Sequence, residues 1–159
     1  MNTINIRQPE LQELVVVQHL RHAVLDPARH IDVDHELGPE DFHAETIHMA
    51  AFLDSEVVGS VRLDLLQAES PVYEVRKMAI DHALKGRGIG RRVLEMALSE
   101  AYSRGGHLFT LDAREEAIPF FEKLGFILTG DCIVHSDRVP NYVMRRNLVK
   151  MAFSSQPAE

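Results

Sequence analysis

Residues 85–92 read Lys-Gly-Arg-Gly-Ile-Gly-Arg-Arg, so that four cations and three glycines share eight positions with no anion. Glycine takes backbone conformations that other residues avoid, and it brings amide donors close to a ligand. An amphipathic run follows at once, so the positive end of a helix dipole would point at the same place. These features suit phosphate oxygens. A solvated basic helix start is the simpler competitor. The chain as a whole carries a formal net charge of −7. That balance argues against general nucleic-acid binding, which depends on neutralising many phosphates with Lys and Arg. A basic island on an acidic chain instead points to a local anion site.

Two common phosphate loops can be tested against the string. A Walker loop needs G-x-x-x-x-G-K-[ST], which does not occur here. A dinucleotide loop needs G-x-G-x-x-G opening a parallel βαβ unit. The glycines fall instead at Gly86, Gly88 and Gly90, after a hairpin pattern.

The elements that must position this loop follow from periodicity. Residues 10–25 are expected to be helical, with Leu11, Leu14, Val15, Val17, Leu20 and Val24 as the apolar stripe. Residues 26–46, rich in Asp, His, Pro and Gly, form a long connection. Alternation over Ile47–Leu53 and Val57–Leu65 around Asp54-Ser55-Glu56 predicts an antiparallel hairpin. A strand over Val72–Ile80 leads into the glycine loop. From Ile89 to Arg104 the period is helical, with Ile89, Val93, Leu94, Ala97, Leu98 and Ala101 inward, and Gly105-Gly106 stops it. Leu108–Ala113 is a strand. Glu116–Leu124 is a helix, with Pro119 near its start and Gly125 past its end. Strands over about Phe126–His135 and Tyr142–Leu148 close the order. This is a mixed α/β (α+β) pattern.

A chain of 159 residues is expected to form one domain, over 1–150, with a tail at 151–159 that is small and polar from Ser154. No apolar run approaches the ~20 residues that cross a membrane, and the N-terminus lacks a secretory pattern. With Cys132 the single cysteine, a cytoplasmic location is expected, with neither membrane nor nucleic acid as partner. Cys132 itself reads as a buried small hydrophobe in a late strand; His135 is at most a weak base for it. The nine histidines, among them His19, His22, His30, His35, His43 and His48, show no metal-ligand spacing. No metal is expected.

The stretch Glu74–Phe126 resembles the GNAT superfamily of acyl-CoA-dependent N-acetyltransferases. Val75-Arg76-Lys77-Met78-Ala79-Ile80 followed by Lys85-Gly86-Arg87-Gly88-Ile89-Gly90 is similar to the family's strand and its [Q/R]-x-x-G-x-[G/A] loop. Ala117-Ile118-Pro119-Phe120-Phe121-Glu122-Lys123-Leu124-Gly125-Phe126 is similar to its A-x-x-F-Y-x-x-x-G-F signature. The resemblance implies a GNAT fold: a central, mostly antiparallel sheet of about six to seven strands flanked by helices, with a splayed parallel strand pair holding acetyl-CoA. It implies backbone contacts from Met78, Ala79 and Ile80 to the pantetheine arm. Lys85, Gly86, Arg87, Gly88, Ile89, Gly90 and Arg91 would hold the pyrophosphate, and Phe121 would lie beside the cofactor. For Met78 and Ile80, plain core packing is compatible with that role. Arg114 could contact CoA or substrate, or pair with Glu115 or Glu116. A homodimer is a further implication.

The implied reaction moves an acetyl group from acetyl-CoA to a primary amine of an unidentified small molecule or protein. An alkylamine of pKa ~10.4 is almost wholly protonated at neutral pH, so a base is useful. Glu74 resembles the strand glutamate that serves as base in some members; a solvent-facing glutamate or an ion pair with Arg76 is the alternative. The oxyanion donor would be a backbone amide at Ala79 or Ile80. Two residues depart from the family pattern. Lys85 keeps a cation but loses the planar fork of arginine. Phe121 stands where a tyrosine often acts as acid, and it has no proton to give. Releasing CoA as thiolate at pH 7 costs only about 2 kcal/mol for a thiol of pKa ~8.5, and Tyr142 or solvent could compensate. Alternatives are a non-catalytic acyl-CoA-binding module, transfer of a longer acyl chain, or a nucleotide-binding regulatory domain.

Overall fold

The computed structural model describes residues 3–25 and 37–148. Seven strands form a mixed sheet in the order β1-β2-β3-β4-β5-β7-β6: β1 Ile4–Arg7, β2 Ile47–Leu53, β3 Glu56–Gln67, β4 Val72–Ile80, β5 Leu108–Arg114, β6 Ile127–Val134 and β7 Pro140–Asn147. The helices are α1 Leu14–Leu25, α2 Ile89–Ser103 and α3 Ile118–Lys123. Ladders are antiparallel at β1–β2, β2–β3, β5–β7 and β6–β7. The β4–β5 pair is parallel and aligns Val72–Glu74 with Leu108–Thr110, three of the nine residues of β4. The chain divides into two compact units, Met1–Asp64 with Val75–Ala101, and Leu65–Glu74 with Tyr102–Glu159.

In the first unit the hairpin turns at Asp54-Ser55, where Asp54 takes a left-handed φ of 56°. β2 is buried on both faces: Ile47, Met49 and Ala51 on one, Ala50 and Phe52 on the other. Val17 of α1 packs on Ala50 and Phe52. β1 was not foreseen in the sequence, because four residues are too few to display a period. Arg7 at its end lies 3.9 Å over the Phe52 ring and bonds both oxygens of Glu13. In α1 the helical reading holds, but its inward stripe is Leu14, Val17 and Arg21, while Leu11 and Val15 are exposed. The stripe foreseen for α2 is the buried one: Ile89, Val93, Leu94, Ala97, Leu98 and Ala101.

In the second unit Tyr73 stacks on Phe109 with ring centroids 6.0 Å apart. Phe121 meets Phe120 and Phe126 edge-on, at 5.1 and 5.9 Å. The Phe121 carbonyl accepts the Leu124 and Phe126 N–H groups, and Gly125 closes the helix with φ +87°. The reading of Cys132 is corrected: it is exposed. β6 ends the sheet order, and all eight of its residues are exposed, so the thiol is not covered by the described residues. The tail from 151, and residues 26–36 of the long connection, lie outside the described residues; 39–42 form a short 3-10 turn. Among the described residues no helix is long and apolar enough to cross a membrane.

Gly59 fixes where the glycine loop begins and ends. A Cβ there would stand 2.9 Å from Ile80 Cδ1 and 3.2 Å from Ile89 Cγ2. These two isoleucines bracket the loop, so it is sewn to β3 at both ends. An isolated glycine in a strand pattern signals such an approach. Gly59→Val is expected to overpack this point, at a cost of about 1–3 kcal/mol. It should also weaken ligand binding at the loop, as read by thermal melting and by calorimetry with CoA.

Candidate functional site

The loop is built from residues 75–80 of β4, a capped turn and the start of α2, all in the first unit. The Asp81 N–H donates to the Val58 carbonyl at 2.9 Å, and the Asp81 carboxylate accepts the Ala83 N–H at 2.9 Å. That cap turns the chain out of β4 through His82–Leu84. Gly86 and Gly88 follow with φ of +81° and +78°. Side-chain-bearing residues are strained there. A Cβ on either would meet no atom within 4 Å. The glycines therefore supply conformation, and the space before them is open to a ligand.

The first intrahelical bond of α2 runs from the Arg92 N–H to the Gly88 carbonyl, at 3.2 Å. The N–H groups of Ile89, Gly90 and Arg91 precede it and have no acceptor within the helix. No acidic residue occupies the first turn of α2. Lys85, Arg87, Arg91 and Arg92 are exposed around these donors. Arg91 also makes a 3.3 Å contact with Glu95, solvent-exposed on both sides; such a pair is weak and exchanges readily for a multivalent anion. Ile89 is buried and anchors the turn; Gly90 is partly buried. The residues that the sequence grouped as an anion loop are therefore brought together, with donors and charges on one exposed surface.

The strand before the loop carries a feature that no motif announced. Lys77 has a φ of +52° in the middle of β4. This left-handed conformation costs roughly 1–2 kcal/mol for a residue with a side chain. Arg76 and Lys77 are consecutively exposed, which breaks the alternation set by buried Tyr73 and Val75. Local backbone strain of this kind persists only where the surroundings enforce it, and it collects at functional sites. Met78 and Ile80 are half-buried and Ala79 is buried. Their side chains thus help the core, as the simpler reading required.

Glu74, Arg114 and Phe121 belong to the second unit. Glu74 is half-buried, aligned with Thr110 of β5, on the strand face opposite Tyr73 and Val75. Arg114 donates to the Asp137 carboxylate at 2.7 Å, so its ion-pair partner is Asp137 and not Glu115 or Glu116. The Val139 N–H and Arg114 together hold the Asp137 carboxyl below its usual range. Arg114 thereby braces the β6–β7 turn. Tyr142 is half-buried on β7, across from Ala113 and Cys132. Among the described residues no group of three His, Cys, Asp or Glu side chains is placed to hold a metal.

Known proteins match this arrangement. A sequence model described as the Acetyltransferase (GNAT) family matches residues 12–126. A curated relative, glucosamine 6-phosphate N-acetyltransferase of Trypanosoma brucei brucei, is 31% identical over 55 residues, 35% of this chain and 37% of that protein. The match thus spans little more than a third of the relative's length. An aminoglycoside 6'-N-acetyltransferase solved with coenzyme A superposes with a TM-score of 0.79 at 19% identity, covering 97% of this chain and 99% of that one. Escherichia coli ElaA gives 0.76 at 16% identity, covering 92% and 100%. At such identities the structures speak to fold alone. The family match spans well over half the chain, and the solved structures agree with it in fold: this protein belongs to the GNAT family of acetyltransferases.

Proposed function

We propose that this protein transfers an acetyl group from acetyl-CoA to a primary amine, and that residues 1–150 form one such N-acetyltransferase domain. The observation that carries the reading is the start of α2: two left-handed glycines facing open space, three amide donors without helical acceptors, and four exposed cations. This set fits a pyrophosphate better than a lone carboxylate, because two bridged phosphates offer several acceptors and more than one negative charge. Lys85, Arg87 and Arg91 would supply charge, and the backbone of Gly86 to Arg91 would supply hydrogen bonds. Acetyl-CoA brings the acyl group as a thioester.

The chain's own residues then have three tasks. Main-chain groups of Met78, Ala79 and Ile80, just beyond the strained Lys77, would align the arm of the donor. An amide at Ala79 or Ile80 would stabilise the oxyanion. Glu74 would accept the proton of the attacking amine, directly or through water. Phe121 contributes packing and no proton, so thiolate departure is left to solvent or to Tyr142. The alternatives are an acyl-CoA-binding module without activity and a longer acyl donor. A cytoplasmic location belongs to the same reading, since an exposed lone thiol suits a reducing compartment. A homodimer is also part of it. β6 ends the sheet order, with Ile127 and Val134 69% and 60% exposed, and a second copy would add to it.

The direct test is release of free thiol from acetyl-CoA across an amine panel. Amino sugars come first, because the names of two similar proteins carry such acceptors. No turnover with any amine, despite CoA binding, would leave the binding module. Gly88→Asp should raise the CoA Kd at least about tenfold, or about 1.4 kcal/mol, while the fold survives, since the added atoms enter open space and the left-handed backbone costs a side chain only about 1–2 kcal/mol. Unchanged affinity would remove the loop from the site. Glu74→Gln should lower kcat by about 10²–10⁴ and leave CoA affinity alone; a rate unaltered from pH 6 to 9 would dismiss Glu74 as the base. For the dimer, sedimentation should show Val134→Lys as a monomer where the parent protein dimerises.

A further inference from the structure

Four polar side chains with no part in that reaction meet on the α1 side of β2 and β3. Arg21, Arg62 and Asp41 are 2%, 3% and 4% exposed at their side chains. Charges so sequestered persist only when paired. Asp41 Oδ1 accepts from Arg21 at 2.8 Å and from Arg62 at 3.0 Å, and its Oδ2 accepts the Gly38 N–H at 2.9 Å. Arg62 reaches on to Asp64 with two further bonds, of 2.8 and 3.0 Å. His48 closes the cluster. Its Nδ1 lies 3.0 Å from an Arg21 nitrogen, and its Nε2 lies 2.9 Å from the Asp41 carbonyl.

The tautomer of His48 follows from its partners. A guanidinium only donates, so Nδ1 must accept; a carbonyl only accepts, so Nε2 must carry the proton. The ring is therefore neutral. A second proton would have to sit on Nδ1, against the N–H groups of Arg21.

The segment held by this cluster is Gly38–Thr46. It is tied internally by Thr46 Oγ1 to the Glu40 carbonyl at 2.7 Å, and by the Thr46 N–H to the His43 carbonyl at 3.0 Å. Phe42, His43, Ala44 and Glu45 are exposed. Asp41 is its buried residue, gripped at the carboxylate by two arginines and at the carbonyl by His48. We propose that His48 is a proton-controlled latch on this segment: the neutral ring ties Asp41 to Arg21, and a proton on Nδ1 removes the acceptor of Arg21 and sets two cations against each other, which drives the ring off Arg21 and loosens its hold on the Asp41 segment.

The charged groups facing the ring are Arg21 from α1, Asp41 from the segment, and Arg62 with Asp64 from β3. Burial, assisted by Arg21 and Arg62, holds the His48 pKa below its usual value. The unfolded chain thus binds this proton at a higher pH than the folded one. Stability is therefore lost as pH falls below about 6.5 and until the folded pKa is passed. The arginine grip survives in that window. Burial opposes ionisation of Asp41, but the Gly38 N–H and the two guanidiniums outweigh it and keep the carboxyl below its ordinary range. Acid therefore opens the histidine link first.

Amide hydrogen exchange on the full chain between pH 7.5 and 5.5, corrected for intrinsic rates, tests this without any substrate. Protection at Asp41 and Thr46 should fall by up to about tenfold per pH unit between about 6.5 and the folded pKa of His48, and level off below it. His48→Gln, which carries a donor and an acceptor but no titrating group, should abolish that dependence. His43 is the second imidazole of the segment and accepts the Glu45 N–H at 3.1 Å; His43→Asn should leave the dependence intact. A dependence retained in His48→Gln, or lost in His43→Asn, would overturn the latch. Should His48→Gln fail to fold, imidazole NMR of the parent protein decides: His48 must titrate below about 6.5 in step with the Gly38–Thr46 amides. Titration that leaves those amides unmoved would reject the proposal.

Discussion

The missing side chain at Gly59 is the constraint on which the glycine loop depends. Ile80 ends β4 and Ile89 begins α2, and both occupy the space a Cβ would take on β3. The loop between them is exposed and has few contacts of its own. Its shape is set by its two anchored ends and by the Asp81 cap. Interiors pack too densely for such anchors to drift. The amide donors of α2 are thereby held in place before any ligand arrives, which spares the binding step part of its ordering cost.

That loop separates two contributions that the sequence presents as one. Gly86 and Gly88 are needed for their left-handed backbone, since nothing crowds the positions where side chains would start. The lysine and arginines add charge on top of a backbone cradle that would exist without them. Lys77 shows the same economy in reverse. A residue poorly suited to φ +52° is held there within a strand. The strain falls immediately before the residues whose backbone the proposed chemistry employs.

Much of this was legible. The α2 stripe and the hairpin could be read because their periods extend over many residues, and burial rewards each period in the same way. The glycine–arginine loop could be read because its special φ values demand glycine whatever surrounds it. Arg21 was not legible. On a helix face defined by Leu14 and Val17, an arginine one turn on reads as a boundary. It goes inside only because Asp41, twenty residues later, comes to meet it. Cys132 failed for the converse reason. A late strand with apolar residues at both ends suggests a buried thiol, yet β6 lies at the end of the sheet order and all eight of its residues are exposed.

The sequence by itself determined the family, the order of strands and helices after β1, and the place of the glycine loop, all of which rest on local backbone preference and short-range spacing. Tertiary structure alone decided which residues far apart in the chain share an environment. It placed Ile80 and Ile89 against Gly59, and Arg114 against Asp137. It also joined Arg21, Asp41, Arg62 and Asp64 into a charge-balanced cluster with the neutral imidazole of His48 at its edge. The physical reason is one of range. Propensity and periodicity act over a few residues, whereas burial of a charge is tolerable only when its partner is fixed by packing from another part of the chain.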